Sequence, residues 1–148
     1  MSRRLFIKRL TIQFAGLFAF PQILKSANQI LPNRDVGEDD LNTITRLLHG
    51  EKPLTWLFTG DSITHGAKHT HGMRSFPEIF AERVRWEMKR VQDTVINTGI
   101  SGNTSQDILD GFDTRVARFT PDVVFLMIGT NDAATGKNIS PGQFGNNL

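Results

Sequence analysis

Cysteine is absent from this chain of 148 residues, so neither disulfide bonds nor a thiolate metal site can form. Long apolar stretches are also missing. The most apolar part of the N-terminus, residues 11–24, is interrupted by Gln13, Pro21 and Gln22, and it is too short and too polar to favour a membrane-spanning helix. The chain contains no internal repeat and no low-complexity tract. Its length is enough for one domain.

Basic charge is scarce outside the N-terminus. Residues 1–27 carry five basic side chains and no acidic one, whereas the rest of the chain carries 12 basic and 15 acidic side chains, a net charge of −3. The basic isoelectric point of about 9.3 is therefore largely a property of the N-terminus. Because nucleic-acid binding needs a basic surface on the folded part, the composition argues against a nucleic-acid partner.

The N-terminus predicts export. Residues 2–8 resemble the twin-arginine export motif, an apolar stretch follows, and Ser26 and Ala27 are small residues suited to cleavage, although a clean A-x-A is missing. We therefore expect a signal peptide at residues 1–27, a periplasmic or extracellular location, and membrane contact only through this segment. An amphipathic surface helix with basic ends is the alternative. Whether the segment is cleaved or kept as an anchor stays open.

Strands and helices alternate after the N-terminal segment. Residues 28–51 are predicted to form a connector and a short helix, residues 38–49. The elements predicted next are a strand at 54–59, a helix from Ser75, a strand at 94–97, a helix from Thr104 or Ser105, and a strand at 122–128. The continuous apolar run of the last strand is typical of a parallel sheet that is covered on both faces. This order predicts an α/β fold with a doubly wound parallel sheet.

Apolar spacing predicts the buried faces of the two central helices. The first face consists of Phe76, Ile79, Phe80, Val84 and Met88, and the second of Ile108, Phe112, Val116 and Phe119.

Three polar segments follow the three predicted strands. They are Gly60-Asp61-Ser62, residues 97–104 with the sequence NTGISGNT, and residues 129–132 with the sequence GTND. In parallel α/β sheets, ligands bind at the carboxyl ends of the strands, so these segments are expected at one edge. In order and spacing the segments resemble the SGNH (GDSL-type) hydrolase family. Each segment alone could be an ordinary turn, but the three in order are specific.

The resemblance implies a fold, an activity and roles for named residues. It implies a flavodoxin-like doubly wound sheet, truncated here after the third strand, with residues 52–148 as the N-terminal portion of the hydrolase domain. Ser62 would be the nucleophile that is acylated by an ester, either a carbohydrate O-acetyl or a lipid acyl ester. The backbone N–H groups of Ser62 and Gly102 and the side-chain amide of Asn131 would form the oxyanion hole. Asp61 and Asp132 are expected to stabilise turns, and no metal or organic cofactor is expected.

The catalytic base is missing from the expected pattern. The family normally closes its triad with an Asp-x-x-His near the C-terminus, but none of the histidines here has an aspartate three residues before it; they are His49, His65, His69 and His71. We expect the base and its acid partner to lie after Leu148, and the chain as given to have little esterase activity. His65 is only three residues from Ser62 and is expected to point elsewhere, since nucleophile and base must come within about 3 Å.

Two further hypotheses concern the segment after Ser62. His65 and His69 could hold a metal if they were helical, but the neighbouring glycines favour a loop with exposed histidines. Arg74 could contact substrate or could be a solvated surface residue.

A second function from another class is a flavodoxin-like flavin or nucleotide phosphate-binding module. Residues 59–64 loosely resemble its phosphate-binding loop, whose N–H groups would hold phosphate. The GTND segment has no role in this alternative.

Overall fold

The computed structural model describes residues 11–13, 36–66 and 70–148. The strands of these residues are β1 (Thr11–Gln13), β2 (Thr55–Gly60), β3 (Thr94–Asn97) and β4 (Val123–Met127). The helices are α1 (Val36–His49), α2 (Ser62–His65), α3 (Phe76–Trp86), α4 (Ser105–Asp110), α5 (Phe112–Arg115) and α6 (Pro141–Asn147), with a 3₁₀ turn at Ala117–Phe119.

The strands form one parallel sheet in the order β1-β4-β2-β3. β2 lies between β3 and β4, with Phe58 opposite Asn97 on one side and opposite Phe125 on the other. Because all pairings are parallel, the polar segments after β2, β3 and β4 leave the sheet at the same edge.

Strand β1 lies within the segment that the sequence predicts to be a signal peptide. Its three residues pair with Val124, Phe125 and Leu126 along the outer edge of β4. The sequence pattern predicts three strands, so this fourth strand is a difference from that expectation. An open strand edge presents unpaired N–H and C=O groups that accept another strand. The paired arginines of the export motif lie outside the described residues.

Helices cover both faces of the sheet, which confirms the predicted doubly wound α/β fold. On one face, Trp56, Phe58 and Val123 are buried under α1 and α3. The rings of Phe58 and Phe125 stack there, with centroids 4.5 Å apart. On the other face, Leu57 packs against Phe112 and Val116 from the α5 region.

The predicted helix faces are only partly confirmed. Val84 of α3 is buried and Phe80 is half-buried, but Phe76, Ile79 and Met88 are 39%, 45% and 43% exposed. Residues 80 and 84 are one helical turn apart and lie on the side of α3 that faces the sheet. Met88 is exposed because α3 ends at Trp86, before this residue.

The second predicted helix is broken into α4, α5 and the 3₁₀ turn, although its residues Ile108, Phe112 and Val116 are buried. Gly111 separates α4 from α5.

A buried carboxylate joins the start of β2 to the loop before β3. Asp93 accepts hydrogen bonds from the Leu54 N–H (3.0 Å), the Trp56 indole N–H (2.7 Å) and the Arg90 Nε (2.7 Å). Burial by itself raises the pKa of Asp93, but these hydrogen bonds outweigh burial and leave the pKa below its ordinary value of 3.8. Arg90 also donates to the carbonyls of Leu48, Gly50 and Lys52. This network fixes the end of the sheet opposite the three polar segments.

Candidate functional site

Ser62 follows β2 in a tight turn and begins helix α2. Gly60 has a φ of 151°, and the buried carboxylate of Asp61 accepts a hydrogen bond from the Ile63 N–H at 2.9 Å. Asp61 therefore caps α2 and stabilises this turn. Ser62 is half-buried, and no residue in the described part of the chain hydrogen-bonds its hydroxyl. As the first residue of a helix, Ser62 also has a backbone N–H without an intrahelical partner.

The loop after β3 is tied to the Ser62 turn. The Ile100 N–H donates to the Gly60 carbonyl at 3.0 Å, and the Asn97 side chain donates to the Thr64 carbonyl at 2.7 Å. Gly99 packs so tightly on α2 that a Cβ there would lie 2.7 Å from the backbone nitrogen of His65. These contacts bring the second polar segment against the first.

Gly102 is exposed in this loop, with a φ of 87° that favours glycine. A Cβ at this position would have no atom within 4 Å, so the space beside the backbone is open. No carbonyl or side chain of the described residues accepts its N–H.

The loop after β4 is tied to the loop after β3. The Asn131 amide donates to the Asn103 carbonyl at 2.8 Å, next to Gly102. Asp132 is buried and accepts hydrogen bonds from both the N–H and the hydroxyl of Ser105, at the start of α4. Asp132 was predicted to stabilise a local turn, whereas in the structure it binds Ser105, which lies 27 residues away in the chain.

The structure thus brings the Ser62, Gly102 and Asn131 segments to one edge, but within the described residues no histidine hydrogen-bonds the Ser62 hydroxyl. The Nδ1 atom of His65 lies 3.2 Å from both the N–H and the hydroxyl of Ser101. His71 is exposed, and His69 lies outside the described residues. Arg74 forms an ion pair with Glu82 and is not held toward the site.

Two negative observations apply to the described residues alone. Within them, no group of three His, Asp or Glu side chains is arranged to hold a metal ion. Nor does this part of the chain contain a helix with the length and apolar character needed to cross a bilayer.

The Ser62 turn is a poor phosphate cradle. The Asp61 carboxylate already occupies the Ile63 N–H, and its negative charge lies in the loop that the alternative function assigns to an anion. The alternative is based on a loose resemblance of residues 59–64, which follow the first predicted strand, to a flavodoxin-like phosphate loop.

Two site-supporting residues were missed by the sequence analysis. Ser105 is 1% exposed and links Asp132 to Asn147 of α6, whose side chain donates to the Ser105 hydroxyl at 2.9 Å. Asn97 joins α2 to the β3 exit loop. Their sequence signals are weak: a serine beside a helix cap and an asparagine at a strand end occur in many turns.

Known proteins match the same part of the chain. Residues 58–148 match the GDSL-like lipase/acylhydrolase family. An acetylxylan esterase from Geobacillus stearothermophilus is 37% identical over 84 residues, which are 51% of this chain and 38% of that protein. A protein of Mycoplasma pneumoniae, described as uncharacterized, is 34% identical over 96 residues, which are 64% of this chain and 11% of that protein.

Solved structures share the fold. The lipase/acylhydrolase from Enterococcus faecalis has a TM-score of 0.55 and 30% identity, over 64% of this chain and 48% of that one. An acetyl xylan esterase, AlAXEase, has a TM-score of 0.54 and 28% identity, with the same coverage. The chain spans about half the length of these solved relatives. From the family match and the three polar segments at one sheet edge, we conclude that the chain belongs to the GDSL-like lipase/acylhydrolase (SGNH) family.

Proposed function

We propose that the protein is a serine esterase that cleaves an ester through an acyl-Ser62 intermediate. The observation that carries the proposal is the union of three loops at one sheet edge, which places a free serine hydroxyl, an open glycine amide and a carboxamide on adjoining segments. Membership of an acylhydrolase family supports the same conclusion. This activity is proposed for the whole protein.

In the proposed reaction, the Ser62 oxygen attacks the ester carbonyl carbon and forms a tetrahedral oxyanion. The N–H groups of Ser62 and Gly102 and the amide of Asn131 donate to that oxyanion, where fixed donors are most effective. The bond to the alcohol then breaks and the alcohol takes up the serine proton through a base. Water releases the acid from the acyl-enzyme in a second attack of the same kind.

The substrate we propose is a carbohydrate O-acetyl ester, with a lipid acyl ester as the other option. Acetylxylan esterases recur among the similar proteins, which supports the first. We further propose that the protein is exported, on the basis of the arginine-rich N-terminus.

The base is proposed to lie outside the 148 residues. Two solved structures of the Geobacillus acetylxylan esterase are described as catalytic mutants, one replacing an aspartate and the other a histidine three positions later. In this chain no such pair exists, and His65, the histidine nearest to Ser62 in sequence, contacts Ser101.

Labelling with a fluorophosphonate tests the proposal directly. We expect a slow adduct at Ser62 that forms faster as the pH rises, because alkaline solution ionises a hydroxyl that no base activates. Mass spectrometry locates the adduct, which Ser62→Ala should remove and the exposed control Ser140→Ala should keep. Modification of a different serine would refute the assignment of Ser62 as the nucleophile. Fast turnover of p-nitrophenyl acetate that Ser62→Ala abolishes would instead show that the chain already holds a base.

A second test concerns Asn131, in a form of the protein that carries the base. Asn131→Ala should reduce kcat by about 10²–10³-fold, since removal of one oxyanion donor costs about 2.7–4 kcal/mol. Steady-state kinetics measures the loss, with Asn138→Ala as an exposed control. A decrease of less than about tenfold would remove Asn131 from the oxyanion hole.

A further inference from the structure

Helix α2 carries Ser62 at its first position and His65 at its last. The His65 ring extends to the loop after β3, where its Nδ1 accepts a hydrogen bond from the Ser101 N–H at 3.2 Å. The Ser101 hydroxyl lies at the same distance from this nitrogen. Ser101 immediately precedes Gly102, so the imidazole binds the residue next to Gly102, whose N–H is the second proposed oxyanion donor.

The backbone donor fixes the tautomer of His65. A backbone N–H can only donate, so Nδ1 must carry the lone pair and the neutral ring must carry its proton on Nε2. The Ser101 hydroxyl lies 3.2 Å from the same nitrogen, beside the N–H that occupies its lone pair.

Gly102 lies in a turn that the Asn103 N–H closes on the Ile100 carbonyl at 3.1 Å, and side chains hold this turn in place. Its backbone is exposed, with a positive φ and empty space around the Cβ position. The segment is held on both flanks by side chains, with His65 bound to Ser101 before it and Asn131 bound to Asn103 after it. The contacts at Asn97 and Ile100 hold the loop further upstream.

We propose that His65 is a positioning residue for the oxyanion hole, holding the loop that carries the Gly102 N–H against the helical turn that carries Ser62. This inference rests on the proposed esterase function, in which Gly102 receives the oxyanion. It gives the histidine after the nucleophile a role other than that of base or metal ligand. His65 needs no contact with substrate for this role, because it acts through Ser101.

Two variants separate the hydrogen bond from the bulk of the ring. His65→Leu removes the acceptor and keeps an apolar side chain, whereas His65→Asn places an amide oxygen near the position of Nδ1. His49→Leu serves as the control, since His49 is exposed at the end of α1. Amide hydrogen exchange measured by NMR should be about tenfold faster at Ser101 in His65→Leu, the loss expected for one hydrogen bond, and close to the unaltered rate in His65→Asn.

Two further readouts connect the contact to the site. The ¹⁵N shifts of the imidazole should show a proton on Nε2 and none on Nδ1 in the unaltered chain. Fluorophosphonate labelling of Ser62, whose tetrahedral adduct places an oxygen where the oxyanion would be, should slow by about tenfold in His65→Leu and recover in His65→Asn.

The possible results are distinct. The proposal would be overturned by a proton on Nδ1. It would also be overturned if hydrogen exchange and labelling were unchanged in His65→Leu, or if His65→Leu and His65→Asn lost the same amount of exchange protection and labelling rate. If the unaltered chain is not labelled at Ser62, the proposed function fails and so does the link to the oxyanion hole. Hydrogen exchange would still decide the His65–Ser101 contact in that case.

Discussion

Replacing Gly60 by alanine is expected to destabilise the folded chain by more than about 4 kcal/mol, a large part of the roughly 5–15 kcal/mol that stabilises an ordinary domain. A Cβ at this position would lie 2.0 Å from the Met127 carbonyl oxygen and 2.7 Å from the Thr64 hydroxyl. The φ of 151° adds strain, because side chains rarely adopt it. The backbone of β4 cannot move away without losing its pairing with β2.

Urea denaturation monitored by circular dichroism measures this effect. Gly136→Ala is the matched control, since Gly136 also has a positive φ, of 92°, but a Cβ there would have no neighbour within 4 Å. The control should lose only about 1–2 kcal/mol, the cost of the left-handed backbone alone. Equal losses in the two variants would show that the close approach of β2 and β4 is not what requires glycine.

Asp93→Ala should destabilise the chain by about 3–5 kcal/mol, because it leaves a buried cation without its partner. The Arg90 side chain is only 10% exposed, and the Trp56 indole N–H and Leu54 N–H would also lose their acceptor. The same urea titration measures the loss. Asp110→Ala is the control, since this exposed carboxylate accepts a hydrogen bond from Gln106 in its own helix and should change stability by less than about 0.5 kcal/mol.

The pH dependence of stability provides an independent check on Asp93. Its pKa is lowered in the folded state, so the carboxylate stabilises the fold at pH values above the ordinary 3.8. This contribution decreases as the pH falls below 3.8 and is lost as the pH passes through the lower pKa of the folded state. Asp93→Ala should therefore lose less stability than the unaltered chain between neutral and strongly acidic pH. Parallel pH profiles would contradict the assignment.

Sequence reasoning was most successful where pattern and local chemistry agree. The strands β2, β3 and β4 were predicted within about one residue of their observed bounds, because apolar runs followed by glycine and polar residues mark the ends of buried strands. The Asp61 turn also follows from local geometry, since the side chain of an aspartate one residue before a helix accepts an N–H of the first turn, here that of Ile63.

Other features could not be predicted in this way. The exposure of Phe76 and Ile79 depends on how α3 lies on the sheet, and the division of the second helix depends on Gly111. The contacts of Asp132 with Ser105 and of His65 with Ser101 join residues 27 and 36 positions apart. Spacing along the chain carries no information about such partners.

The sequence by itself determined the family, the parallel α/β order and the three polar segments at the strand ends, because these depend on local pattern and on the common direction of parallel strands. Only the tertiary structure decided that the Asn131 amide lies beside the Gly102 loop, that Asp132 holds the start of α4, and that His65 contacts Ser101 and not Ser62. The physical reason is that hydrogen bonds between loops depend on positions in space, which the packing of the sheet and its helices sets.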